Sequence, residues 1–142
     1  MRILQPHGWP RPRGYSNGIE AEGKIVFVAG QIGWDETGAF KTDSFGGQFR
    51  QALVNTLAVL EEASATPEHI TRMTWFITSR DEYSASLAEL GKAWKELMGP
   101  NYPTMSVIIV SGLVEPRAKI EIETTAVIPH PEHRHHTLNG NV

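Results

Sequence analysis

The residues of this chain best suited to chemistry are few and spread along its length. Residues 102–112 read YPTMSVIIVSG. A Tyr102-Pro103 turn runs there into an apolar stretch, and Thr104, Met105 and Ser106 stand at the mouth of the strand that follows. The stretch contains no charge, so any catalytic or anchoring charge must come from elsewhere. Glu121 and Glu123 lie on the less apolar face of the final strand, where a carboxylate can position water or transfer a proton. The competing account of both is a pair of solvated strand carboxylates. Arg11 and Arg13, in RPRGY, can reach over a cleft beside Tyr15, and a guanidinium grips a carboxylate with two parallel hydrogen bonds. A solvated basic arm is the plainer alternative. Tyr15 can pack on a substrate and donate its hydroxyl, or it can simply anchor that arm. Ala29, Gly30 and Gln31 end a strand, and their backbone N–H groups can hold a carboxylate where glycine permits close approach. A β-bulge explains the same glycine equally well. Asn101 and Tyr102 shape the rim of the cleft or only make a turn.

Other chemistries find no footing. The chain has 142 residues and no cysteine, which removes thiolate nucleophiles, iron–sulfur clusters and disulfides. His130, His133, His135 and His136 cluster in PHPEHRHH, but no scaffold fixes them, and we expect a mobile tail and no metal site. Gly46-Gly47 is not followed by the Lys-Ser/Thr of a phosphate loop, and neither HExxH nor GxSxG occurs. A net charge of -3 and a pI near 6.1 argue against nucleic acid as a partner, while a small anionic substrate needs only one local arginine. The opening MRILQPHGW lacks a signal-peptide core, and no run approaches ~18 apolar residues. These features predict a cytoplasmic protein that does not engage a membrane.

The elements that must position these residues follow from periodicity. One domain is expected over residues 1–142, with an N-terminal arm over 1–14 and a polar tail over 129–142. The Pro-rich arm cannot form a regular helix. Residues 17–33 read as a hairpin turning at Glu22-Gly23. From Phe45 the spacing of Phe49, Ala52, Leu53, Thr56, Leu57 and Leu60 predicts a helix, with Thr42, Asp43 or Ser44 as its cap. Residues 70–78 return to strand period. Ser79 with Glu82 resembles a capping box for a second helix that buries Tyr83, Leu87, Leu90, Trp94, Leu97 and Met98 and ends at Gly99-Pro100. Strands over 105–110 and 118–128 complete an α+β fold, a mixed six-stranded-type sheet with two helices on one face. Thr71, Met73, Trp75 and Ile77, or their alternates, would form the other face together with Ile25, Val107, Ile109 and Val127. A sheet apolar on both sides with helices for only one predicts a homo-oligomer.

At this level of detail the chain resembles the Rid/YjgF family of enamine and imine deaminases. YSNGIEAEGKIVFVAGQIGWDETGAF, QALVNTLAVLEEA, ITRMTWFIT and KIEIETTAVI carry the likeness, which covers roughly residues 13–129. It implies a chorismate-mutase-like fold of RidA/YjgF type, assembled as a homotrimer with sites in the clefts between subunits. It also implies a functional role for Glu121. One position departs from the pattern. Most deaminating members carry Pro-Ala-Arg-Ser where this chain has Pro103-Thr104-Met105-Ser106, and a thioether cannot replace the arginine that grips the substrate carboxylate. Arg11 and Arg13 are then the best substitutes, with Met105 as an apolar wall for a longer chain.

RPRGY, GQIGWD, RMTWFIT and YPTMS narrow the resemblance to the 2-aminomuconate deaminase branch. That likeness implies hydrolysis of 2-aminomuconate, or a close unsaturated amino-dicarboxylate, to a 2-oxo acid and ammonia in the breakdown of aromatic compounds. Imine hydrolysis needs a carboxylate anchor, a positioned water and a proton for the departing nitrogen. A protonated imine carbon is already electrophilic, so no cofactor is expected. The rival readings are a non-catalytic small-molecule-binding or regulatory trimer, which the missing arginine favours, and a translation or nucleic-acid factor, which the negative charge disfavours.

Overall fold

The computed structural model describes residues 1–131. His133, His135 and His136 of the tail therefore lie outside the described residues. Among these residues, no helix is long and apolar enough to cross a membrane.

The apolar stripe from Phe45 becomes helix α1 (Phe45–Glu62), which starts where the Ser44 hydroxyl accepts the Gly47 N–H at 3.0 Å. Phe49, Ala52, Leu53 and Leu60 are completely buried by it. The expected second helix starts at Ser79, whose hydroxyl accepts the Glu82 N–H, but it is two pieces. Helix α2 (Arg80–Ala85) stops at Ser86, and α3 (Leu87–Met98) begins beyond it. The physical reason is local: the Ser86 hydroxyl donates to the Glu82 carbonyl at 2.7 Å, competing with the backbone ladder. Leu90, Ala93, Trp94 and Met98 then face the core, and Gly99 ends α3 at a φ of 62°.

Six strands are present among the described residues, divided four and two. The main sheet runs in the order β3 (Lys24–Ile32), β6 (Ile120–Ile128), β4 (Ile70–Ile77), β5 (Thr104–Ile109). Its β4–β5 pair is parallel and its other pairs are antiparallel, so the sheet is mixed, and α1 and α3 cover one face. The expected 17–33 hairpin does not form. Strand β2 (Gly18–Glu20) pairs instead with β1 (Arg2–Leu4) in a separate ribbon, so the first residues of the chain, read as an arm, supply a strand. Gly23 at φ 151° sits so close to the end of β6 that a side chain there would strike the Ile128 carbonyl.

Alternation decides what each face holds. Met73, Trp75 and Ile77 point into the helix-covered core, and their alternates Thr74 and Phe76 take the other face. On that uncovered face Ile25 is 56%, Phe27 76% and Ile108 43% exposed. The doubly apolar sheet is therefore present, although its outer members differ from those first expected.

Two carboxylates brace the loops around α1. Asp35 accepts hydrogen bonds from the Thr37 hydroxyl (2.6 Å), the Thr37 N–H (2.8 Å) and the Ala39 N–H (3.1 Å), which hold its carboxyl far below the ordinary range. Arg117 lowers Asp43 through a hydrogen bond at 2.8 Å. Both groups start from 3.8 when unperturbed. Folded values below that give stability present above about pH 4 and lost as the pH falls further. The melting temperature should hold between about pH 7 and 5 and then drop, and Asp35→Asn should flatten the drop. An acid profile identical in the variant would show that Asp35 takes no part.

Candidate active site

The strand mouth opens into an apolar cleft on the helical side of the fold. It measures about 570 Å³ and lies between α3, the start of β5 and residues 13–15. An aromatic series runs outward to it from the core. Phe49 meets Trp75 at 4.8 Å between ring centres, Trp75 meets Trp94 at 6.0 Å, and Trp94 stacks on Tyr102 at 6.1 Å and 17°. Tyr83, Leu87, Leu90 and Val107 complete the wall, and Arg13, Tyr15 and Met105 close the other side. Arg13 is the only charged side chain among these lining residues. The indole N–H groups of Trp75 and Trp94 are buried and have no hydrogen-bond partner among the described residues.

The position of Tyr15 follows from its neighbour. Ser16 donates its N–H to the Pro103 carbonyl at 3.0 Å and its hydroxyl to the Tyr102 carbonyl, and it bridges to Thr104 in parallel register. Two hydrogen bonds thus fasten the arm to the strand mouth and set Tyr15 beside Met105. On the far side of these two residues is a second, smaller pocket of about 250 Å³, lined by Tyr15, Ser16, Asn17, Arg72, Met73, Thr104, Met105 and Ser106.

The remaining expected site residues lie elsewhere. Between Val28 and Gln31 strand β3 advances by three residues while β6 advances by two, a bulge that includes Ala29 and Gly30. Glu121 lies across the strand on the uncovered face, and its carboxylate occupies the space a Gly30 side chain would need. The β-bulge, the plainer reading of this glycine, is therefore present, and the carboxylate that approaches it within the chain is that of Glu121. Gln31 serves the bulge itself, its amide donating to the Ala29 carbonyl at 3.0 Å. Asn101 donates to the Met98 carbonyl at 2.8 Å and secures the end of α3, so it belongs to the turn. Arg11 is exposed and lines neither the cleft nor the small pocket.

One chain therefore brings together Arg13, Tyr15, Tyr102 and Met105 in the aromatic cleft, with Ser106 in the adjoining pocket. It sets Glu121 against Gly30 on the opposite side of the sheet. Periodicity places Tyr83, Leu87, Leu90 and Trp94 in the core. Leu90 and Trp94 are buried there, Tyr83 is half-buried, and Leu87 is 53% exposed because it sits on the open cleft. All four form the cleft wall. Arg72, a residue the sequence does not single out, lines the small pocket.

Comparison with known proteins returns consistent relatives. Residues 10–128 match the sequence family described as endoribonuclease L-PSP. A RutC family protein of Haemophilus influenzae is 34% identical over 106 residues, covering 74% of this chain and 80% of the relative. TdcF of Escherichia coli, named as a reactive intermediate deaminase, is 33% identical over 114 residues, 80% of this chain and 85% of its own. The crystal structure of TdcF with bound serine superposes with a TM-score of 0.63 at 30% identity, covering 90% of this chain and 99% of the other. The Rid family protein YyfB of Yersinia pestis, described as of unknown function, superposes with a TM-score of 0.79 at 30% identity, covering 89% and 98%.

Proposed function

This chain belongs to the Rid/YjgF family, whose sequence description is endoribonuclease L-PSP, and from that membership we propose that it hydrolyses the C=N bond of an imine or enamine and releases ammonia. The observation that carries the reading is the similarity to TdcF along four-fifths of the chain. Water adds to the imine carbon as the C=N electron pair moves to nitrogen, which takes a proton. The resulting carbinolamine then expels ammonia as C=O forms. Glu121 would take the proton from water and return it to nitrogen, and Tyr15 would orient the substrate over Met105.

The substrate we propose is 2-aminomuconate or a related unsaturated amino-dicarboxylate, in its imine tautomer. The uncharged wall of Trp75, Trp94, Tyr102 and Met105 suits a flat conjugated chain, and Arg13 at the rim suits a carboxylate. RNA, which the family description suggests, gains no support from a net charge of -3 and a cleft lined by a single arginine.

The two walls of the site face opposite ways on one chain, so we propose that a homotrimer joins them, the cleft of one copy meeting the Glu121 face of the next. The exposed Ile25, Phe27 and Ile108 on the Glu121 face supply apolar surface for such contact. One preparation tests both parts. Light scattering at micromolar concentration should give three times the chain mass, and the absorbance of 2-aminomuconate generated in place should decay faster than by spontaneous hydrolysis. A stable monomer would refute the assembly, and decay no faster than background would refute the deaminase.

A further inference from the structure

We propose that Arg72 anchors a substrate carboxylate in the small pocket beside Met105, replacing the charge that Met105 lacks. The inference rests on the deaminase reading for the reaction served, and not for the charge of the ligand bound.

Arg72 shares the uncovered face with Thr74 and Phe76 by the regular alternation of β4, and the strand is irregular on its other side, against β6. There Ile70 pairs with Ala126 and Arg72 with Thr125, so two steps along β4 match one along β6. Arg72 stands opposite Thr104 of β5, at the end of the sheet where Ser16 is fastened. Arg72 is exposed, and three observations give its guanidinium a ligand to meet. It makes no ion pair among the described residues, whereas Arg2, Arg50 and Arg117 are paired with Glu20, Glu96 and Asp43. The pocket it lines contains hydroxyl and amide groups from Tyr15, Ser106 and Asn17 and not one carboxylate, so its local field favours an anion. Tyr15 and Met105 line both this pocket and the aromatic cleft. A ligand whose carbon chain lies on that shared wall can therefore place an acidic end on Arg72, while Arg13 remains available in the cleft.

The ligand class that uses all of this is a dicarboxylate with a short apolar spacer. Guanidinium presents five donors in a planar fork, which suits a carboxylate even in a partly open pocket. Arg72→Lys should retain part of the anchoring, since an ammonium keeps the charge without the fork.

The test is calorimetric binding of trans,trans-muconate to the assembled protein; this probe is a dicarboxylate without the amino group that hydrolysis needs. Arg72→Gln should weaken binding about 10- to 100-fold, the range for hydrogen bonds to charged groups, with Arg72→Lys intermediate. Arg80→Gln removes an equal charge outside both pockets and should bind as the unchanged chain does. Muconate binding that is absent from the unchanged chain, or unaltered by Arg72→Gln, overturns the anchor. So does an equal loss in Arg80→Gln, which would mark a general charge effect. Turnover is scored separately: hydrolysis that persists with Arg72→Gln at unchanged KM removes the anchor alone, and Arg72-dependent binding without hydrolysis removes the deaminase alone.

Discussion

Glu121→Gln should reduce the turnover of 2-aminomuconate about 100- to 10,000-fold, the usual contribution of general acid–base catalysis, while leaving the mass of the assembly unchanged. Glutamine preserves the shape that fits against Gly30 and removes only the ability to accept a proton from water. The neighbouring Glu123 is the internal control. It lies on the same strand and face, opposite the bulge, but stands exposed, and the carboxylate packed against Gly30 is that of Glu121. Glu123→Gln should therefore change turnover little. If the two variants lose activity equally, or neither does, Glu121 has no special place in proton transfer. Gly30→Ala offers a second approach to the same contact, because any side chain there must displace the Glu121 carboxylate.

The second large effect concerns Met105. The unchanged chain should turn over 2-iminopropanoate on the order of a hundredfold more slowly than relatives with arginine at that position, since losing one carboxylate clamp removes several kcal/mol of interaction. Met105→Arg should recover a substantial part of that activity. The same change should slow 2-aminomuconate, because it sets a charge beside Trp75 and Trp94 where a conjugated chain would lie. A coupled assay of both substrates on both proteins gives four rates. The idea fails if the variant shows no exchange of preference, or if the unchanged chain already processes 2-iminopropanoate as fast as arginine-bearing relatives.

The parts of the fold legible in sequence were those set by local rules. Phe45 through Leu60 carry a helical stripe behind three possible caps, Thr42, Asp43 and Ser44, and α1 forms where that pattern puts it, with Ser44 as the cap. The break at Ser86 was invisible, because a serine inside a helical pattern reveals nothing until its hydroxyl chooses the backbone carbonyl four residues back. Strand β1 was invisible for a different reason. Three residues after the first methionine hold too little pattern, and their partner lies sixteen positions further on. The site divides along the same line. Tyr15, Tyr102 and Met105 come together because the arm is next to the strand mouth, as RPRGY and YPTMS suggested. That Glu121 faces away from them depends on the pairing register of β4, β5 and β6, which no local window contains. Arg72 was passed over because alternate residues of a strand in ITRMTWFIT look solvated until the distant segments 15–17 and 104–106 are packed beside one of them.

The unpaired indoles in the cleft carry an optical consequence. Four tryptophans occur in the chain. Trp9 and Trp34 are open to water, while Trp75 and Trp94 are buried at the cleft wall, their N–H groups without a partner among the described residues. Excited indole relaxes through surrounding dipoles, so the inner pair should emit at shorter wavelength than the outer pair. A conjugated molecule settling against Trp75 and Trp94 would quench the blue part of the spectrum and leave the red part alone. The protein thus contains its own fluorescent gauge of occupancy, with an internal reference, and ligands that never react can be counted as readily as those that do.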